Sequence, residues 1–286
     1  MVCGVILSGG MSRRFQVSGE PWVDKAFYPV GGVPMIKVMA GKLSRVSSRL
    51  IVASGHPSRV PVYQSLLGDA IVVSDDPELS GPLAGIYSAL GQCRSNVLIA
   101  LPNDMPLVSE ELLELMVSLA GEHDVVSPIL PNGLVETTVL AVKVETSKWV
   151  LESLKNIGGR SRVADLHRGA PRIYLINVKS RGFEAREFKN INKREDLEGE
   201  PSEYPEGPLD GDVRITRDYS LEDVREKTSK IIGSLWGTLL LGRLKEELHT
   251  YLEKGVYMLA GYTLLDSPNK YERALGRKII ESLKPE

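Results

Sequence analysis

Val5-Ile6-Leu7-Ser8-Gly9-Gly10-Met11-Ser12-Arg13-Arg14-Phe15, with Asp24-Lys25 further along the chain, joins an apolar run of strand length to a small-residue loop carrying cations. Paired glycines let a backbone turn sharply and bring its N–H groups close to an anion. Arg13, Arg14 and Lys25 add positive charge, so the segment reads as a strand leading into a loop that holds a nucleoside triphosphate. The chain has neither the GxGxxG dinucleotide fingerprint nor the GxxxxGK[ST] phosphate loop, which weakens the two common alternatives for a glycine-rich loop after a first strand. A strand ending in Gly-Gly is also compatible with a plain tight turn, so the loop gains meaning only in combination with other segments of the chain.

Beyond this segment, short β-branched runs at 49–53, 70–73, 97–101, 124–129, 139–142 and 172–178 alternate with helical patterns. The expected fold is α/β: a mainly parallel, Rossmann-like sheet with helices on both faces, three layers in all. Ser109 is placed as the N-cap of a helix whose first turn carries Glu110 and Glu111, where acidic charge complements the helix dipole. Ligands of such sheets bind at the carboxyl ends of the strands. Three loops come after strands in this way: the Gly-Gly loop, Gly81-Pro82-Leu83-Ala84-Gly85 and Pro102-Asn103-Asp104-Met105-Pro106.

The segment 199–218 is rich in proline, glycine and acid and is expected as a linker, dividing a nucleotide domain at 1–198 from an all-helical module at 219–286. Ser220 is placed as the cap of the module's first helix and Ser267-Pro268 as the opening of its last. The chain has 286 residues, 42% hydrophobic and 25% charged, with a formal net charge of -2, which excludes disorder and argues against a nucleic-acid partner. Apolar stretches near Leu239 and Leu259 are too short for a membrane span, and no secretory leader is recognisable. Cys3 and Cys93 have no metal-ligand spacing and suggest no disulfide framework, so each is expected as a small buried side chain in a protein of the reducing cytoplasm.

Taken together and in order, Leu7-Ser8-Gly9-Gly10-Met11-Ser12-Arg13-Arg14-Phe15, Asp24-Lys25, Gly81 to Gly85, Pro102 to Pro106, and Asn190-Ile191-Asn192 before Glu195-Asp196-Leu197 resemble the molybdenum cofactor guanylyltransferases, the MobA-like nucleotidyltransferases. The ordered set spans roughly residues 1–198 and is more specific than any member alone. The resemblance implies Mg²⁺-dependent transfer of GMP from GTP to molybdopterin with release of pyrophosphate. It implies nucleotide contacts at Leu7, Ser8, Gly9, Gly10, Ser12, Ser54, Asp75, Gly81, Pro82, Leu83, Gly85, Asn190 and Asn192, and Asp104 with Asn192 as metal ligands.

The residues support that chemistry on their own terms. Attack on an α-phosphorus collects charge on equatorial and leaving oxygens, so cations and positioning carry the catalysis. Arg14 offers a bidentate fork and Lys25 a compact point charge, while Arg13 is expected to face solvent. Asp104, between two prolines after a strand, is suited to presenting one carboxylate to Mg²⁺; a turn-forming role is its plain alternative. Asn190 serves equally as an Asx turn, Asp75 and Asp76 compete for the same role, and Gly158-Gly159-Arg160-Ser161-Arg162 is either a phosphate-binding turn or a helix C-cap.

Departures from the family pattern lie at Gln16 to Val23, an inserted stretch expected to act as a lid, and at Ser54 and Asn103, which replace an asparagine and a cysteine. Rival readings are cytidylyl transfer to molybdopterin, guanylyl transfer to a cobinamide or lactate derivative, and a nucleotide-binding regulatory protein acting through its helical module. That module is expected to serve association with a second copy or a molybdoenzyme, or else simply to pack on the sheet.

Overall fold

The computed structural model describes residues 1–157, 162–197, 203–217 and 244–284. Its centre is an eight-stranded sheet in the order β10-β9-β7-β8-β6-β1-β4-β5. These strands are β1 (Val2–Leu7), β4 (Arg49–Ala53), β5 (Ile71–Val73), β6 (Val97–Pro102), β7 (Val125–Ile129), β8 (Leu140–Lys143), β9 (Arg172–Asn177) and β10 (Val213–Thr216). A small hairpin, β2 (Pro29–Val30) with β3 (Val33–Pro34), lies outside the sheet. Parallel pairing joins β5, β4, β1 and β6, and also β7 with β9, whereas β8 and β10 run antiparallel to their neighbours. Six of the eight strands thus run in one direction, the mainly parallel sheet expected, and β8 departs from it because the short 130–139 connection returns it beside β7 without a crossover helix.

Helices cover both faces. On one side α1 (Met35–Val46), α2 (Val60–Leu67) and α4 (Glu110–Leu119) enclose a core containing Ile6, Val52, Ile99, Met39 and Leu112. On the other, α3 (Pro82–Gln92), α5 (Val144–Ile157), α6 (Ala164–Gly169), α7 (Leu244–Glu253) and α8 (Tyr257–Leu265) meet Val5, Leu7, Leu98 and Leu140. Buried on both faces, β1 must read as a continuous apolar run, which is why the opening residues announce a central strand. In α1 the buried set Ile36, Met39 and Leu43 recurs at helical spacing and packs in one core with Ile6 of β1. A Cβ at Gly4 would stand 2.8 Å from Ser47 Oγ, so that helix lies close on the strand. Ser109 holds the N-cap position of α4, as expected, but makes no side-chain cap bond; its backbone N–H donates to Glu187 Oε2 at 2.9 Å.

Two expectations are corrected. Cys3 and Cys93 are bonded as a disulfide between β1 and the residue after α3, so they are not isolated thiols, and the compartment argument built on them falls. The parallel fold brings residues 90 positions apart together, which no local spacing signals. The 199–218 segment, expected as a solvated linker, contributes β10 to the sheet edge. Asp212 just before it accepts from Tyr174 Oη (2.6 Å), Asn177 N (2.9 Å) and Arg181 Nε (2.9 Å). Burial alone would raise its carboxyl, yet these bonds and the guanidinium hold it below the ordinary carboxylate range.

The tail packs onto the sheet domain. Tyr251, Val256, Leu259 and Ala260 are buried in the same core as Val5 and Leu140. α8 is apolar nearly all round because it is enclosed by α7 and by α9 (Lys270–Ser282). α9 begins after Asn269, whose side chain caps it by accepting from Tyr271 N at 2.9 Å, two residues later than Ser267. Ser220, Trp236, Leu239-Leu240-Leu241 and the turn Gly158-Gly159-Arg160-Ser161 lie outside the described residues. Among those described, no helix is long and apolar enough to cross a membrane.

Candidate functional site

The carboxyl ends of β1, β4 and β6 open into a cavity of about 380 Å³. Its lining includes Leu7, Gly9, Gly10, Lys25, Asp75, Gly81, Pro82, Gly85, Asp104 and Asn190, so most residues expected at the site converge there. Ala53, Pro102, Asn103 and Thr138 complete it.

One end is built by the two glycine loops. Gly55 has φ +81°, and a Cβ there would meet Gly9 Cα at 2.8 Å, so the β1 and β4 loops touch through glycine. Asp75, just beyond β5, reaches between them: its Oδ2 would stand 2.8 Å from a Cβ on Gly9 and its Oδ1 3.3 Å from one on Gly85. Asp75 Oδ1 is buried without a hydrogen-bond partner. Burial pushes this carboxyl above its ordinary range, offset in part by the backbone bond to Gly55 and by Arg59. Asp76 instead pairs with Lys155 at 3.1 Å and accepts from Glu78 N at 3.0 Å, so of the two neighbouring acids only Asp75 lines the cavity. Gly81, at φ +63°, precedes α3 and places Pro82 in the helix's first turn, where its missing N–H costs nothing.

At the centre, Lys25 Nζ lies 2.6 Å from Asp104 Oδ2, with side chains only 10% and 18% exposed. Ser12 sets this up. It is the one non-glycine residue with positive φ among those described, and its Oγ accepts from Lys25 N at 3.2 Å. Asp24 accepts from Ala26 N at 3.1 Å and starts the turn carrying Lys25. Asp24 is itself held by Arg59 and by Tyr63, whose hydroxyl donates at 2.9 Å. Ser8 meets Tyr63 Oη at 2.7 Å, and Asn103 Nδ2 donates to Ser8 Oγ at 2.7 Å. This buried chain ties the loops after β1 and β6 to α2. Burial and the Asp24 charge push the Tyr63 hydroxyl well above its ordinary value, so it stays a donor.

Ser8 and Asn103 thus act through the frame; Asp24 is visible in the sequence as the acid of the Asp24-Lys25 pair, whereas Arg59 and Tyr63 carry no sequence pattern that singles them out. These two partners of Asp24 lie 35 and 39 residues away from it.

Other expected contacts fall elsewhere. Ser54 is fully buried and its hydroxyl donates to Val73 O at 3.0 Å, so it braces β4 against β5 and does not line the cavity. Leu83 points into the core. Arg14 and Asn192 are bonded to each other, Nη2 to Oδ1 at 2.8 Å, and neither lines the cavity. Asn192 N donates to Asp196 Oδ2 at 2.7 Å, closing the turn before a short 3-10 helix. Asn190 does line the cavity, and Ile191 N donates to Asp104 O at 2.7 Å, which fixes the Asp104 loop.

The inserted stretch is closed at its base by Gln16, whose Nε2 donates to Ser12 O (2.7 Å) and Val23 O (2.8 Å) while its Oε1 accepts from Val23 N (2.9 Å). Glu20 pairs with Arg194 at 2.7 Å, and Trp22 is 60% exposed. Among the described residues no group of three His, Cys, Asp or Glu is placed to hold a metal. Asp104 offers one carboxylate, and Asn190 lines the same cavity. That fits an ion such as Mg²⁺, which binds through one or two carboxylates and takes its other oxygens from phosphates and water.

Comparison with known proteins shows the family and the fold. Residues 4–171 match the MobA-like NTP transferase domain. A probable molybdenum cofactor guanylyltransferase of Pyrococcus furiosus is 33% identical over 202 residues, covering 69% of this chain and 95% of the relative. One from Geobacillus sp. is 31% identical over 192 residues, covering 67% and 93%. In fold, the molybdopterin-guanine dinucleotide biosynthesis protein A of Archaeoglobus fulgidus superposes with TM-score 0.55 at 19% identity, over 68% of this chain and 95% of that one. A nucleotidyl transferase of Methanothermobacter gives TM-score 0.55 at 22% identity, over 68% and 94%.

Proposed function

The chain belongs to the MobA-like nucleotidyltransferase family, and from that premise we propose that it transfers GMP from GTP to molybdopterin, releasing pyrophosphate. The observation that carries this reading is the order of groups along one cavity, from the unpartnered Asp75 oxygen between glycine loops to the Lys25–Asp104 pair.

The base belongs at the glycine end. Backbone approach at Gly9 and Gly85 leaves room for a flat ring, and a carboxylate oxygen lacking a donor suits the N–H edge of guanine better than cytosine, whose edge offers fewer donors. The same oxygen also suits a ribose hydroxyl. The phosphates then reach Lys25, whose ammonium faces them once Asp104 turns to the cation that accompanies the triphosphate. Mg²⁺ at Asp104 would supply charge neutralisation at the α-phosphate and at the departing pyrophosphate. We assign Arg14, exposed in the same loop, to the outer phosphates, with Asn192 holding its guanidinium in place.

In the reaction a phosphate oxygen of the acceptor bonds to the α-phosphorus, and the bond to the bridging oxygen breaks, its electron pair leaving on pyrophosphate. No protein proton is required. Lys25 holds the α-phosphoryl group against developing charge, and the Ser12 and Asp24 bonds keep the lysine turn from moving away. The reaction consumes an intracellular nucleotide, which supports a cytoplasmic setting.

Incubation of the protein with molybdopterin, Mg²⁺ and each α-labelled nucleoside triphosphate tests the proposal. Label from GTP should enter a guanine dinucleotide with equimolar pyrophosphate. Label entering from CTP instead would assign the glycine end to cytosine, and no labelled product from any nucleotide would reject transfer to molybdopterin.

A further inference from the structure

Thr138 is a polar side chain in the cavity lining that the proposed reaction leaves without a role. It stands just before β8, which is antiparallel to β6 with Leu140 opposite Ala100, so Thr138 lies level with the end of β6 and beside the Asp104 loop. Along the sheet edge the order is Asp75 after β5, Gly9 after β1, Asp104 after β6 and Thr138 before β8. From β5 to β8 is four strand spacings, roughly 19 Å, enough to seat a nucleotide and a second substrate in line. Thr138 is at the end away from Asp75.

The hydroxyl of Thr138 has a defined polarity. Its Oγ1 donates to Glu136 Oε1 at 2.6 Å, and the same carboxylate oxygen accepts from Thr138 N at 3.3 Å. A hydroxyl carries one hydrogen and two lone pairs. With the hydrogen committed to Glu136, the hydroxyl can offer the cavity only acceptor lone pairs. Glu136 keeps Oε2 for a second contact. Burial pushes its carboxyl up, the Thr138 bonds draw it down, and the Asp104 charge pushes it up again, so this acid sits close enough to Asp104 to sense it.

We propose that Glu136 and Thr138 form the acceptor end of the cavity, selecting a second substrate whose flat heterocycle presents N–H donors toward the β7–β8 loop. A pterin ring carries such donors on its pyrimidine edge. This assignment rests on guanylyl transfer for the identity of the first substrate, and it adds which residues choose the second. Thr138 contacts the ring; Glu136 is a positioning residue that sets the hydroxyl's direction.

The probe is 6-hydroxymethylpterin, titrated into the full-length protein and followed by its own fluorescence, with GTP affinity measured alongside by calorimetry. Thr138→Val keeps the shape and removes the acceptor, and should weaken pterin binding about tenfold with GTP affinity unchanged. Thr138→Ser should restore it. Glu136→Gln should weaken pterin binding less than Thr138→Val does, again with GTP affinity unchanged. Wild-type pterin affinity in Thr138→Val, equal loss of GTP affinity in that variant, or no pterin binding by the wild type would each overturn the proposal. Pterin binding with this pattern in a protein giving no labelled dinucleotide would instead reject the reaction and leave the pair's role standing.

Discussion

Two ion-pair clusters with little solvent contact differ in how their charges are used. At the cavity, Lys25 and Asp104 bridge at 2.6 Å and face open space. Where α6 meets the tail helices, Arg168 is fully buried; its Nε and Nη2 donate to Glu247 at 2.8 and 2.9 Å, and its Nη1 reaches Asp165 and Asp266. Asp266 also takes Arg162 at 2.6 Å. Burial works against the Asp266 carboxylate, but the two guanidiniums outweigh it and hold the carboxyl below its ordinary value. Charges saturated by partners of fixed geometry describe a structural joint. Charges paired once beside a cavity are free to exchange that partner for a ligand, so the pair at the cavity is the one to read as chemistry.

Removing Arg168 puts the greatest strain on this contrast. Arg168→Ala leaves three carboxylates without their shared partner, and deleting one member of such a buried cluster costs about 3–5 kcal/mol. Thermal or urea unfolding should register that loss, while the folded fraction keeps its transfer rate per molecule. An unchanged midpoint would mean that the tail helices are held by apolar contact alone.

Lys25→Ala should do the reverse, lowering the transfer rate on the order of 10²-fold with a small change in unfolding midpoint. Steady-state pyrophosphate release measures it. A collapsed midpoint with normal turnover of the folded fraction would move Lys25 to the structural class.

A smaller effect concerns His167, buried with its Nε2 2.8 Å from Ser127 Oγ; burial lowers its pKa from 6.5 to about 4. Because the folded value lies below the unfolded one, the unfolded state takes up the proton first. The stabilisation is full above pH 6.5, declines as pH falls and levels off near pH 4, amounting to roughly 3 kcal/mol at most. The difference in unfolding free energy between wild type and His167→Gln should shrink across that window. A constant difference from pH 7 to pH 4 would show that His167 does not titrate there.

Legibility in the sequence divides along the same line. The loops that line the cavity are legible because each is a contiguous string, and the central strands because burial on both faces makes them apolar runs. Asp75, Gly9, Gly81, Lys25 and Asp104 are all visible in this way. The joints are not, because they are pairings between distant residues: Arg168 with Glu247, Asp24 with Arg59 and Tyr63, Cys3 with Cys93. β10 is hidden in acidic, proline-rich surroundings, although Val213-Arg214-Ile215-Thr216 alternates buried and exposed as an edge strand should. Ser54 and Leu83 mislead because their neighbours in the chain line the cavity while their own side chains turn inward.

Whether transfer occurs at the carboxylate paired with Lys25 is decided by the GTP-dependent transfer rate of Asp104→Ala, read against Mg²⁺ concentration beside its unfolding midpoint. The expected result is a rate lowered on the order of 10²-fold or more with no recovery at high Mg²⁺ and a midpoint close to wild type. A near-wild-type rate with the same Mg²⁺ dependence would contradict it.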